Sequence, residues 1–181
     1  FLQRVIEPAR KVFAAERARH LRAYDGVNDT LAALRERGVK IIGLTDAPAF
    51  PAQARLKKLG LDVHFSALYA LENYLPPTDA AGGFLLDPEI LDRQRRGEYD
   101  AAFGKPVELA KSHEKPSPLG IRKILFDFGL KPGEVILVGD NPAKDLAAAA
   151  AAGARALHAA YGARHDPALI ARLHALTPGR L

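Results

Sequence analysis

Apolar positions in residues 2–22 recur at helical spacing: Leu2, Val5, Ile6, Ala9, Val12 and Phe13, with Arg, Lys and Glu between them. That period predicts a helix, with Pro8 either kinking it or opening its main segment. The stretch AYDGVNDT, 23–30, predicts a turn and then a helix over about 29–37, capped by Asn28 or Asp29 and stopped by Gly38. The run VKIIGL, 39–44, is short, apolar and β-branched, and predicts a buried strand. TDAPAF then reads as a loop, followed by a helix over about 50–59 that stops at Gly60. VHFSALYAL, 63–71, contains a second strand.

The rhythm breaks over 72–113, where Pro76-Pro77, Gly82-Gly83 and a basic cluster of Arg93, Arg95 and Arg96 replace periodic apolar positions. This stretch reads as an insertion with a short helix near 88–96. The alternation resumes with a helix over 118–128, opened by Pro118 and ended by Gly129. EVILVGD is a strand, PAKDLAAAAAAG a helix ending at Gly153, ARALHAA a strand with its turn, and 167–175 a last helix. Four strands alternating with helices of about ten residues predict an α/β fold with a parallel sheet and right-handed crossovers. In such sheets ligands bind at the carboxyl ends of strands. The loops to inspect therefore follow Leu44, Leu71 and Val138, or precede the helix at 118.

Composition narrows the classes. The chain has 181 residues, 48% of them hydrophobic and 26% charged, which is enough for one globular domain with a real core. No apolar run approaches the ~20 residues of a membrane span, and no signal-peptide pattern opens the chain. Cysteine is absent, so disulfides and thiolate metal sites are excluded; a cytoplasmic protein is expected. The net charge of +5 is spread over helix faces (Arg4, Arg10, Lys11, Arg17, Arg19, Arg22) and Trp is absent, so a nucleic-acid polymer is not the expected partner. An anionic small substrate agrees with the sign. No membrane partner is expected, and the oligomeric state stays open, a homodimer included.

Three strand-end loops carry candidate chemistry. IIGLTD puts the Thr45 hydroxyl at a strand end; SHEKPSP puts Lys115 in an extended segment before a proline; LVGDNPAKD puts Asp140 at a strand end and Asp145 about one turn into the next helix. Together they suit phosphate and a hard cation. Mg²⁺ takes oxygen ligands, keeps several waters, and needs only one or two carboxylates. Asp140 supplies one; Asp145 either ligates or holds a metal-bound water. Lys115 neutralises phosphate oxygens, and Thr45 with the N–H groups after it donates to them. Each residue also has a plain structural reading. Thr45 serves as a cap or turn residue, Lys115 as a surface lysine, Asp145 as a first-turn acid favoured by the helix dipole, and Asp140 as a turn residue before Asn141-Pro142.

The ordered set resembles the haloacid dehalogenase (HAD) superfamily of hydrolases, in its phosphoglycolate-phosphatase-like branch. AYDGVNDTLAALRERGVKIIGLTDAP resembles the entry into that core and its second motif, with Thr45 as the motif residue. EKPSP resembles the third motif, with Lys115. VILVGDNPAKD resembles the fourth, with Asp140 and Asp145. The resemblance covers about 23–71 and 114–160. It implies a Rossmann-like parallel sheet with helices on both faces, a Mg²⁺ cofactor held by Asp140 and Asp145, and hydrolysis of phosphate monoesters of small metabolites or nucleotides. It implies catalytic roles for Thr45, Lys115, Asp140 and Asp145, and phosphate contacts from Thr45, Asp46 and Lys115. Residues 1–22 resemble the last helix of a helical cap, and 23–181 the core with its insertion at 72–113.

Two departures stand out. The family's first motif, Asp-x-Asp, whose first acid attacks phosphorus and whose second is the general acid–base, occurs nowhere in the sequence, and methionine is also absent. The attacking aspartate is therefore expected upstream of Phe1. Without a central first strand, open sheet edges and uncovered apolar faces are expected. Asp46 stands where the family usually has a neutral residue, and a carboxylate beside phosphate is repelled unless it faces away or meets a cation. The insertion reads either as a lid bringing Arg93, Arg95 or Arg96 to substrate or as a surface excursion or dimer contact. The six histidines (20, 64, 113, 158, 165 and 174) lack ligand spacing and read as structural, with His113 notable for its closeness to Lys115. Two readings stand beside the phosphatase: a catalytically silent binding or regulatory module, and a dehalogenase of the same fold. No G-x-G-x-x-G opens a helix, against a nicotinamide site.

Overall fold

The fold follows from where short apolar runs become strands and where glycine stops the helices between them. The computed structural model describes residues 2–73 and 88–163. The helix expected over 167–175 and the Pro76–Gly83 part of the insertion lie outside the described residues. The chain divides into two compact units, Phe1–Glu108 and Leu109–Leu181.

In the first unit, Leu2–Ile6 form a π-helical turn that leads into α1, Glu7–His20, so Pro8 opens the main segment rather than kinking it. Val12 and Phe13 of α1 are about two-thirds exposed. Helix α2, Val27–Glu36, starts earlier than expected because its N-cap is Gly26, in the left-handed region at φ 76°. Neither Asn28 nor Asp29 caps it. Asn28 instead meets the His64 ring, Nε2 to Oδ1 at 2.7 Å. Strand β1, Ile42–Pro48, runs through most of the expected TDAPAF loop. Helix α3, Ala49–Lys58, follows it directly, and a short 3₁₀ turn at Asp62–His64 precedes β2, Ala67–Leu71.

Strands β1 and β2 are parallel, with Ile42 opposite Ala67 and Thr45 opposite Ala70, and the register slips before Pro48 meets Leu71. Asp46 and Ala47 therefore have no counterparts: they form a bulge at the end of β1. Ala49 and Ala52 of α3 pack on Leu68 and Ala70 of β2, with Ala47, Leu56 and Phe103 around them. The small side chains at helical spacing let α3 lie close to the strand.

The insertion is more than a surface excursion. It holds α4, Pro88–Arg95, near the expected position, and β3, Val107–Leu109, a third strand of the sheet ordered β1-β2-β3. A three-residue strand leaves too little period to be read from sequence. Its approach is fastened to the first unit. Tyr99 packs edge-on to Phe50 at 5.0 Å between centroids and its carbonyl accepts from Gln53 Nε2 at 2.7 Å. Asp62, 2% exposed, accepts from the Ala102 N–H at 2.9 Å and from Lys57 Nζ at 3.4 Å.

In the second unit, α5, Leu119–Phe128, ends at Gly129, and β4, Ile136–Gly139, pairs in parallel with β5, Arg155–His158. Between them lie a π-helical turn, Pro142–Leu146, and α6, Ala147–Ala152. Ile121, Ile124 and Leu125 of α5 and Ala148, Ala149 and Ala152 of α6 are buried. The strand side chains are not: Ile136, Val138 and Leu157 are 51%, 57% and 60% exposed. Among the described residues, no helix is long and apolar enough to cross a membrane.

Replacing Asp62 tests the fastening of the insertion. Asp62→Ala orphans a partly buried N–H and is expected to lower unfolding free energy by about 1–3 kcal/mol in urea titrations. An unchanged midpoint would show that Ala102 is held by other contacts.

Candidate functional site

The second unit brings three of the expected residues into one neighbourhood. The Lys115–Pro116 peptide is cis, and the lysine side chain, 12% exposed, reaches Asp145, 8% exposed, with Nζ to Oδ1 at 2.6 Å. The other carboxylate oxygen of Asp145 accepts from the Asn141 N–H at 3.0 Å. Asp145 is thus a buried acid whose two oxygens both have donors, rather than a solvated first-turn acid. Burial alone would raise its carboxyl pKa; the Lys115 ammonium and the Asn141 N–H outweigh that and hold it below the ordinary aspartate value.

Two glycines make the close packing possible. A Cβ on Gly139 would lie 2.4 Å from both Cβ and Cγ of Asp145, and one on Gly162 would lie 2.8 Å from Cβ of Asp140. Gly139 is the last residue of β4, so the strand hands the chain to an exposed Asp140 while Asp145 folds back over the strand's end. The Asp140 carbonyl accepts from His158 Nε2 at 3.2 Å, which ties the end of β5 to the same loop. Asn141 caps the following turn, its Oδ1 accepting from the Lys144 N–H at 3.1 Å.

A second strap runs parallel to the first. Glu114, next to Lys115, meets Lys144, next to Asp145, at 3.2 Å, and also pairs with Lys111. Hydrogen bonds from Lys111 and then Lys144 hold the Glu114 carboxyl below its ordinary range. The neighbouring pairs Glu114–Lys144 and Lys115–Asp145 fix the loop before α5 against the turn after β4. Sequence reading saw Gly139 only as part of the Gly-Asp motif, Asn141 only as a turn residue before Pro142 and His158 only as structural, and it gave no role to Gly162 or to this strap.

In the first unit, Thr45 sits half-buried opposite Ala70, and its Oγ1 accepts from the Ala47 N–H at 3.1 Å. The hydroxyl closes the bulge, a turn role, and this acceptance leaves its own proton to donate. Asp46 lies half-buried in the same bulge. The basic cluster of the insertion is engaged at the surface. Arg93 and Arg96 both meet Glu98 at 2.7 Å, Arg95 meets Asp92 at 2.9 Å, and Arg93 stacks over Tyr99 at 5.1 Å.

His64 is buried with its Nδ1 unpartnered; His20 lies 3.7 Å from Glu16. His113 is half-buried, its Nδ1 3.4 Å from the Ser112 hydroxyl. His165 and His174 lie outside the described residues. Among the described residues, no three His, Cys, Asp or Glu side chains gather in a group able to hold a metal ion. Asp140 and Asp145 are hard oxygen donors five residues apart in sequence, and one or two carboxylates meet the needs of Mg²⁺.

Comparison with known proteins points the same way for both units. A family model described as haloacid dehalogenase-like hydrolase matches residues 2–75, and one described as HAD-hydrolase-like matches 113–178. A phosphoglycolate phosphatase of Rhodospirillum rubrum is 29% identical over 153 residues, 84% of this chain and 47% of that protein. A phosphoserine phosphatase of Thermus thermophilus is 46% identical over 54 residues, 29% of this chain and 22% of that protein. The chain spans less than half the length of these curated relatives. A crystal structure of a candidate beta-phosphoglucomutase from Thermotoga maritima matches with a TM-score of 0.59 at 18% identity, over 94% of this chain and 62% of that one. That likeness bears on the fold.

The Lys115–Asp145 geometry has two measurable consequences. Gly139→Ala is expected to cost about 1–3 kcal/mol in urea titrations, because Asp145 must move off the strand end. Asp145 has a depressed pKa when folded, so its contribution is present above the ordinary aspartate range of about 4 and lost as pH falls through the depressed value. The stability gap between the native chain and Asp145→Asn should therefore be full near neutrality and close on acidification. A gap independent of pH would remove the ion pair as its cause.

Proposed function

We propose that this chain belongs to the haloacid dehalogenase-like hydrolases and carries the phosphate- and Mg²⁺-handling residues of a phosphomonoesterase for small phosphorylated metabolites or nucleotides. The observation that carries the reading is the buried Lys115–Asp145 pair beside the exposed Asp140 at the end of β4. A fully solvated lysine and a first-turn acid would need no glycine cradle and no second strap. The names of both curated relatives, each a phosphatase, support the same reaction class.

Each residue has a role that its surroundings suit. Asp140 would hold Mg²⁺ through a carboxylate oxygen. Asp145, with both oxygens already accepting, holds Lys115 in place and would support the ion's shell from behind Asp140. Lys115 neutralises phosphate oxygens, as a compact ammonium does. Thr45 donates its hydroxyl to phosphate, while its own acceptance from Ala47 fixes the rotamer. Bound Mg²⁺ would supply further charge neutralisation as the phosphate ester is cleaved. The covalent route forms an aspartyl-phosphate as the bond to the leaving alcohol breaks, and water then hydrolyses it.

Hydrolysis of p-nitrophenyl phosphate by the full-length protein, with Mg²⁺ and with EDTA, is the test. Turnover should require Mg²⁺, and Asp140→Asn or Lys115→Ala should lower kcat by about 100-fold or more. Absence of Mg²⁺-dependent turnover, or full activity in Asp140→Asn, would sink the proposal. Retained phosphate binding without turnover would favour the silent binding module.

A further inference from the structure

Helix α3 begins immediately after the Thr45 bulge, and its start is fixed in an unusual way. Its N-cap, Pro48, has no side chain able to accept a hydrogen bond, and its third residue is Pro51, which has no N–H. The N–H of Phe50 is instead taken by a residue 23 positions away: Asn73 Oδ1 accepts it at 2.8 Å. Asn73 follows the end of β2, and its Nδ2 donates to Glu108 Oε1 on β3 at 2.9 Å. The amide orientation is set by chemistry, since a backbone N–H can only donate and a carboxylate can only accept. One exposed side chain thus joins the first turn of α3 to residues at both ends of the insertion.

This arrangement bears on Thr45. The bulge of Asp46 and Ala47 lies between two fixed points, the Thr45–Ala70 register and the first turn of α3. Thr45 Oγ1 and the Ala47 N–H are bonded across it. Only Pro48, registered opposite Leu71, lies between the bulge and α3, so a shift at the start of α3 reaches the bulge through that one residue. We propose that Asn73 is a positioning residue for the phosphate-binding turn at Thr45, acting through the Phe50 N–H and oriented by Glu108. The inference rests on the phosphate role assigned above to Thr45.

The test uses the whole chain and inorganic phosphate as the probe. Phosphate is titrated while the amide resonances of Thr45, Asp46 and Ala47 are followed by NMR, and hydrogen exchange of the Phe50 amide reports the Asn73 bond directly. Asn73→Ala should expose the Phe50 amide to exchange and weaken phosphate binding at the turn about five-fold, the equivalent of losing one helix cap. Asn73→Asp keeps an acceptor for Phe50 but faces the Glu108 carboxylate, so it should also bind weakly. The double variant Asn73→Asp with Glu108→Gln restores a donor to that acceptor and should recover affinity to within about two-fold. A merely structural cap would lower the urea midpoint without moving phosphate affinity. Unchanged affinity in Asn73→Ala, with Phe50 protection lost, would overturn the proposal and leave the phosphate role of Thr45 standing. No phosphate-induced shift at Thr45–Ala47 in the native chain would overturn both. Should Asn73→Ala fail to fold, the two Asn73→Asp variants decide: equal affinities overturn the proposal.

Discussion

The second unit is organised around one buried charge. Burying a carboxylate costs several kcal/mol unless its partners replace the water it loses, and Asp145 has three requirements for that replacement. Lys115 must come from the loop before α5, the Asn141 N–H must point back toward the turn, and the strand end must carry no side chain. Those requirements fix the conformations of residues 114–115, 139 and 141–145 together. The exposed Asp140 is placed as a by-product, because it is the residue between the bare strand end and the capped turn. The proposed meeting place of cation and phosphate thus arises from satisfying a single buried acid.

The strand-ending motifs were legible because they coincide with local signals. The β-branched runs before Thr45 and Asp140 announce strands, and glycines mark the ends of α2, α3, α5 and α6. What escaped the sequence was long-range. The bulge of Asp46 and Ala47 depends on register against β2, which no local period encodes. Strand β3 is three residues long, and Gly26 took the cap position that Asn28 and Asp29 suit chemically. The burial of Asp145 was hidden by the alanine run after it, which has no polar face from which to infer an inside. The roles of residues 1–22 and 23–181 as cap remnant and core remain readings carried by the resemblance.

The insertion shows how chemistry that looks available in sequence can be committed in three dimensions. Three arginines within four positions suggest an anion site. In the fold they pair with Glu98 and Asp92, and Arg93 covers the ring of Tyr99, whose other contacts are Phe50 and Gln53 of α3. As exposed pairs they contribute little to stability individually. Together with Asp62 and Phe103 they set the path by which the chain returns to the sheet as β3.

The cradle at Gly139 also constrains how this sequence can change over generations. Any side chain at position 139 collides with Asp145, so a substitution there displaces the acid unless the acid has already gone. Once the acid has gone, Lys115 has lost its ion pair with it. The three positions are therefore coupled: a change at one alters the cost of a change at the others. A lineage that has lost the acid would have little to stop the other two from wandering, and its remaining glycine would be a relic of the charge it once accommodated.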